Sequence, residues 1–312
     1  MNEKSSILSA EEFSELFQQC RRSRGVAEGD LGVAASCVSA ERVVRASRLV
    51  TTGATISCAR PIQTKASADN PRPAVHLMTE LPAGAATAEG AGVAADYLAL
   101  ECHGDAQSHI DALCHIAWAG RIFSGEDASV TVPLSGAVRG GLELAVDGLV
   151  SRGVLLDVPV LEGIEWLEPG QQVALDQLQR AESRLTEPIG AGDIVLVRTG
   201  HDRRRRVLGA WPTAQLKAGL DVRAMPWFGA KGIVALGFDG DGDVIPHLVS
   251  GVTYPIHVLG IVAMGLYFLD SLDLERLSEH CAHEGRWEFL CTVAPLHLVG
   301  GTGAPINPIA IF

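Results

Sequence analysis

Three short apolar runs constrain this chain more than any other feature: Gly153–Val158, Gly192–Thr199 and Gly232–Phe238. Each opens on glycine and is dominated by Val, Leu and Ile, so each reads as a buried strand. The first closes on Asp157, and the last runs into Asp239-Gly240-Asp241-Gly242-Asp243. Weaker strand signals lie at Ala54–Ala59, Tyr97–Cys102 and Trp287–Pro295. Helical signals fall around them. Ser9 is a candidate N-cap with Glu11 and Glu12 in the first turn and Phe13, Leu16 and Phe17 at helical spacing. Ser39 opens a second helix to about Leu49, Leu175–Arg184 is a third, and Leu274–Ala282 a fourth with Glu275, Arg276, Glu279 and His280 outward. Ile256–Met264 fits helix or strand equally. Helices and strands alternate irregularly, so the expected class is α/β with a mixed sheet and flanking helices.

The chain has 312 residues, enough for one large core. It reads as an N-terminal helical extension over 1–35, with a Gly-rich link at Gly25–Gly32, and one domain over 36–312. The Gly/Ala-rich stretch Gly84–Ala95 is a lid, a substrate loop or a plain connector. A formal charge of -12 argues against nucleic acid as a partner. The basic run Arg203–Arg206 reads as a solvated turn. Seven cysteines without a CxxC pair, no leader-like start and no run of about 18 apolar residues predict a soluble cytoplasmic protein with reduced thiols and no membrane partner.

Chemistry concentrates in one strip, His103 to His115. Three of the ten histidines lie there, with Asp105 and Asp111 between them, in an otherwise small and apolar setting. Such groups need partners, ligation or a function to offset their desolvation. In His109-x-Asp111, alternate residues share a face if the piece is extended. His115 joins that face if the chain turns helical from His109 to Ile116. Imidazole with carboxylate suits zinc or manganese. A cation held with one position open lowers the pKa of bound water towards ~7, and an uncommitted histidine then serves as acid or base. The bland alternative is structural histidines satisfied by backbone, with Asp111 as a turn residue.

The strip Ser108-His109-Ile110-Asp111-Ala112-Leu113-Cys114-His115 resembles the signature of the putative cyclase family, which includes bacterial kynurenine formamidase and isatin hydrolase. Further blocks resemble that family in order: 36–62, Arg152–Asp157, Gly192–Gly200, Pro255–His257, Met264–Glu275 and Pro295–Pro308. The resemblance is closest to longer members of about 300 residues. It implies a swivelling β/β/α fold, a homodimer, a small-molecule substrate and a divalent metal. It also implies hydrolysis of an amide-type C–N bond, N-formyl or cyclic, with lactone hydrolysis, cyclase or dehydratase chemistry, or a degenerate binding protein, as alternatives. His109 and Asp111 match metal ligands, and His115 matches the acid/base histidine or a ligand to a second metal. His257 matches a later catalytic histidine, and Asp270 stands one methylene short of a glutamate ligand. The first ligand departs from the pattern. Asp105 occupies its position, and either Asp105 binds, or His103 or Gln107 replaces it, or the metal is weak or absent.

Other candidates are weaker. Asp239, Asp241 and Asp243 lack the glutamate and helices of a calcium-binding EF-hand and read as turn residues, one of which lines the site if the family pattern holds. His247 in the same loop is at most a peripheral group. Cys114 reads as a buried apolar residue. Gly300–Gly303 has no Lys-Ser/Thr and is no phosphate loop. Trp118 and Phe123, with Trp211 and Trp227, are candidates to wall a planar substrate.

Overall fold

The computed structural model describes residues 7–25, 39–82 and 92–312. The expected link over 26–32 and the lid candidate over 84–91 lie outside the described residues. The three apolar runs are strands β5 (Leu149–Asp157), β7 (Ile194–Arg198) and β9 (Ala235–Phe238). They lie side by side and parallel in the middle of a nine-stranded mixed sheet. Their residues are buried almost throughout, as parallel strands covered on both faces require. The other strands of this sheet are β1 (Thr55–Ser57), β4 (His109–Asp111), β10 (Tyr267–Asp270), β11 (Glu288–Val293), β12 (Gly303–Pro305) and β13 (Ile309–Ile311). The order is β1-β13-β11-β5-β7-β9-β10-β4-β12. Strands β2 (Val75–Glu80) and β3 (Ala95–Ala99) form a separate exposed hairpin, and β6 (Gln172–Val173) pairs with β8 (Gly219–Leu220).

The helix Ala10–Arg24 starts with a capping box, Ser9 and Glu12 each taking the other's backbone N–H. It ends at Gly25 in the left-handed conformation. Its buried face, Phe13, Leu16, Phe17 and Cys20, belongs to the main core and packs on the helix Met225–Lys231. Burial of each large apolar side chain is worth roughly 1.5–3 kcal/mol, so this helix is an integral support of the sheet.

Three local expectations change. The chain after His109 is a strand to Asp111 and then a turn, with the N–H of His115 donating to the Ala112 carbonyl. Pairing with two neighbouring strands outweighs any helical preference there. Arg203–Arg206 is helical, within His201–Leu208, because each guanidinium meets an acid from elsewhere: Glu165, Glu168, Asp69 and Asp273 in turn. Glu275 points inward and is buried against Arg198. The ambiguous stretch at 256–264 is helical, Pro255–His257 leading into a π-helical segment, Val258–Ala263. Among the described residues no helix is long and apolar enough to cross a membrane.

Candidate metal centre

Strand β4 carries the site because it is clamped between β10 and β12. Asp270 stands opposite His109, and Ala304 opposite Ile110. Directly paired residues share a face, as do residues two apart on one strand. His109, Asp111 and Asp270 therefore gather on one face of the sheet. Ile110 and Leu269 fill the core on the other, both fully buried.

Asp111 is the hub. Its Oδ1 lies 2.9 Å from His103 Nδ1, 3.5 Å from His109 Nε2 and 3.9 Å from His115 Nε2. Its Oδ2 lies 3.5 Å from His257 Nε2. Burial alone would raise this carboxyl, but the surrounding imidazoles outweigh it and hold Asp111 well below the usual carboxylate range. Two donor sets share it: His103, His109 and Asp111, and Asp111, His257 and Asp270. In each set the candidate ligand atoms lie within 4.8 Å of one another. The fit to a divalent cation rests on what these atoms lack. Asp111 Oδ2 and Asp270 Oδ1 are buried without any hydrogen-bond partner, a state that buried carboxylate oxygens rarely hold unless something charged is meant to face them.

The sequence-distant supports explain the geometry. His109 Nδ1 faces the Gln107 carbonyl at 2.8 Å, which turns Nε2 towards Asp111. His257 Nδ1 contacts Asp243 Oδ2 at 2.6 Å, leaving Nε2 to Asp270 at 3.0 Å. Asp243 also accepts the Ile256 N–H at 2.8 Å, so it fixes both the ring and the helix start. Second partners of this kind orient ligating histidines in metal sites. Gly260 lets that helix approach β10: a Cβ there would stand 2.2 Å from the Phe268 ring. Tyr254 and Ser271, both non-glycine residues at positive φ, flank His257 and Asp270, the kind of backbone strain found where a site is held in place.

His103 reaches the cluster from the preceding loop. Its Nε2 meets Thr302 Oγ1 at 3.1 Å, and a Cβ on residue 303 would come within 2.4 Å of its ring. Gly303 is thus required by the approach of an imidazole, a role that the glycine-rich 300–303 segment gave no sign of. Burial opposes charge on His103, yet the adjoining Asp111 carboxylate overcomes it and lifts the imidazole to about 10. His115 stacks on His103, with ring centroids 3.8 Å apart, and lies outside both donor sets. Its side chain is 23% exposed, close to the 28% of His103 and well above the 4% of His109 and 6% of His257, so it is the accessible imidazole that neither donor set uses.

Asp105 and Gln107 do not join. Asp105 spends one oxygen on Lys217 Nζ at 2.8 Å and the other on Thr213 Oγ1 at 2.8 Å. Lys217, buried, also holds Asp241. Burial raises the Asp105 carboxyl, but Lys217, Thr213 and Arg60 together outweigh it and hold it below the usual carboxylate value, so it stays ionised and committed to these partners. Gln107 bonds the Gln63 backbone in both directions. Asp239 caps the helix at His201, accepting from the N–H groups of Thr199, Gly200 and His201. Of the three loop aspartates, two serve turns or pairs and Asp243 serves the site. Trp118 packs on Phe13 and Phe17. Together with Phe123 it lines a cavity of about 240 Å³ beside the N-terminal helix that includes none of the clustered His or Asp residues. Cys114 is buried, as expected.

The family described as putative cyclase matches residues 47–242. A crystal structure described as a novel cyclase superposes with a TM-score of 0.79 at 27% identity, covering 89% of this chain and 95% of that one. An isatin hydrolase bound to the product analogue thioisatinate gives 0.58 at 19%, covering 88% and 98%. A predicted metal-dependent hydrolase from Bacillus stearothermophilus gives 0.50 at 17%, covering 83% and 98%. The last two likenesses concern the fold. No curated protein matches.

Proposed function

The chain belongs to the putative cyclase family, and from that premise we propose that it is a metal-dependent hydrolase opening an amide-type C–N bond of a small molecule, an N-formyl group or a cyclic amide. The observation that carries this reading is Asp111, a buried carboxylate shared by two donor sets and left with an unpartnered oxygen. The names of the neighbours, isatin hydrolase and metal-dependent hydrolase, agree with it.

His103, His109, Asp111, His257 and Asp270 would hold zinc or manganese, since mixed imidazole and carboxylate donors suit either. Such a cation supplies Lewis acidity and an activated water. The protein's own contribution is orientation and proton transfer. Asp243, Thr302 and the Gln107 carbonyl fix three imidazoles, so little reorganisation accompanies the reaction. His115, an accessible imidazole outside both donor sets, takes a proton from the attacking water and returns it to the departing nitrogen. The six described cysteines are all free, which supports a reducing, cytoplasmic setting.

The test is a panel of N-formyl anilides, cyclic amides such as isatin, and simple lactones, run with chelator-stripped and metal-restored protein. Turnover of an amide, dependent on metal, is expected, with lactones turned over poorly. His115→Ala is expected to keep its metal and lose roughly 100-fold or more in rate. Turnover confined to lactones would move the reading to that class. An unaffected His115→Ala rate would remove the base role, and no metal-dependent turnover at all would leave a binding protein.

A further inference from the structure

A second polar cavity lies apart from the metal centre. It encloses about 370 Å³ between the helix Ala40–Ser47 and the junction of β5 with β11. In the sheet order β7 and β9 separate it from the strands that carry the clustered carboxylates. Its lining is ionic, and its acids are already engaged. Glu288 is buried and accepts from Arg152, from the N–H groups of Thr186 and Glu187, and from the Thr186 hydroxyl. Asp193 accepts the Gly190 N–H, and burial pushes its carboxyl up to about 6 against the pull of Arg152. Asp193 also lies 3.8 Å from Arg152 Nη1, so it too is committed within the lining.

The donors are not used up. Arg152 gives its two terminal nitrogens to Glu288 and to the Glu187 and Pro188 carbonyls, the contact of Nη1 with Pro188 being long at 3.4 Å. Arg48 lines the same cavity, and its guanidinium makes no hydrogen bond or ion pair among the described residues. Among the described residues Arg45 pairs with the Glu187 carboxylate. That carboxylate is itself informative. It sits on an exposed side chain and also comes within 3.7 Å of Arg152 Nη1, so an anion from the protein's own surface already occupies the space between Arg45 and Arg152. A guanidinium fork recognises planar and tetrahedral oxyanions by the same paired donors.

We propose that this cavity binds a small oxyanion, a carboxylate or a phosphate, between Arg45, Arg48 and Arg152, with the Glu187 side chain as the competitor that the ligand displaces. The cavity volume lies within the range of small-molecule sites. Bound there, the ligand would tie the helix Ala40–Ser47 to β5 without touching the metal centre.

The experiment is calorimetric titration of the purified full chain with inorganic phosphate and, separately, with succinate, at constant ionic strength. Arg48→Ala and Glu187→Gln are run alongside; both alter exposed side chains and should fold normally. Saturable binding of one anion or both is expected, and which of them binds identifies the ligand class. Arg48→Ala should weaken it and Glu187→Gln should tighten it, each by roughly two- to fivefold. Binding that neither substitution alters would place the anion elsewhere and overturn the proposal. So would no binding of either anion at tens of millimolar.

Discussion

Replacing His103 with alanine is expected to weaken metal binding by at least about 100-fold, whereas Asp105→Asn is expected to leave it within a few fold. Loss of an outer partner of a ligand already costs roughly 10- to 100-fold, so loss of a ligand itself should reach the upper end or beyond. The contrast follows from where the two side chains go. His103 Nδ1 stands 2.9 Å from the Asp111 carboxylate, in the donor set with His109. Asp105 has both oxygens on Lys217 and Thr213. Asp105→Asn still carries a penalty, because Lys217 loses one of its two carboxylates in a buried position. That penalty should appear as lost stability, on the order of 1–3 kcal/mol, and not as lost metal. Competition with a chelating indicator reads the affinity, and denaturant unfolding reads the stability. If Asp105→Asn released the metal and His103→Ala retained it, the two residues would have to exchange roles.

Glu275→Ala is expected to destabilise the chain by about 3–5 kcal/mol, the cost of breaking a buried ion pair by removing one partner. Arg198 donates to both Glu275 oxygens at 2.8 Å and to Asp157 at 2.9 Å, and all three side chains are buried. Asp157 ends β5, Arg198 ends β7 beside it, and Glu275 opens the helix Glu275–Glu284. The triad thus ties that helix to the parallel strands. Glu275→Gln keeps one of the two acceptors and the packing volume but loses the charge and the second acceptor, so its cost should be smaller, roughly 1–3 kcal/mol. Urea unfolding of both variants gives the two values. Equal and small losses would mean that the triad is replaceable by packing alone.

Much of the site was legible because part of it is local. His109 and Asp111 share a face by the two-residue period of a strand, a property that a few residues suffice to express. The buried central strands were equally plain, since continuous Val, Leu and Ile runs have few other uses. Which of His103, Asp105 and Gln107 reaches the cluster was not legible. Residues 103–107 form bends, which carry no periodicity, and the lysine that pairs with Asp105 stands 112 residues further along. Family spacing pointed to Asp105, whose two oxygens the structure pairs with Lys217 and Thr213. The Asp-Gly alternation left open which of Asp239, Asp241 and Asp243 lines the site, and distance hid Gly303 within a tail of glycines and prolines. Four consecutive arginines looked like a solvated turn because the acids that pair with them come from three separate segments: 69, 165–168 and 273.

The central claim is that Asp111 anchors a divalent-metal centre. Its most direct test is calorimetric titration of manganese and of zinc into chelator-stripped protein, with the unmutated chain beside Asp111→Ala. The account predicts saturable binding of at least one of the two cations by the unmutated chain and its disappearance in Asp111→Ala. Undiminished binding in Asp111→Ala, or no binding of either cation by the unmutated chain, would contradict it.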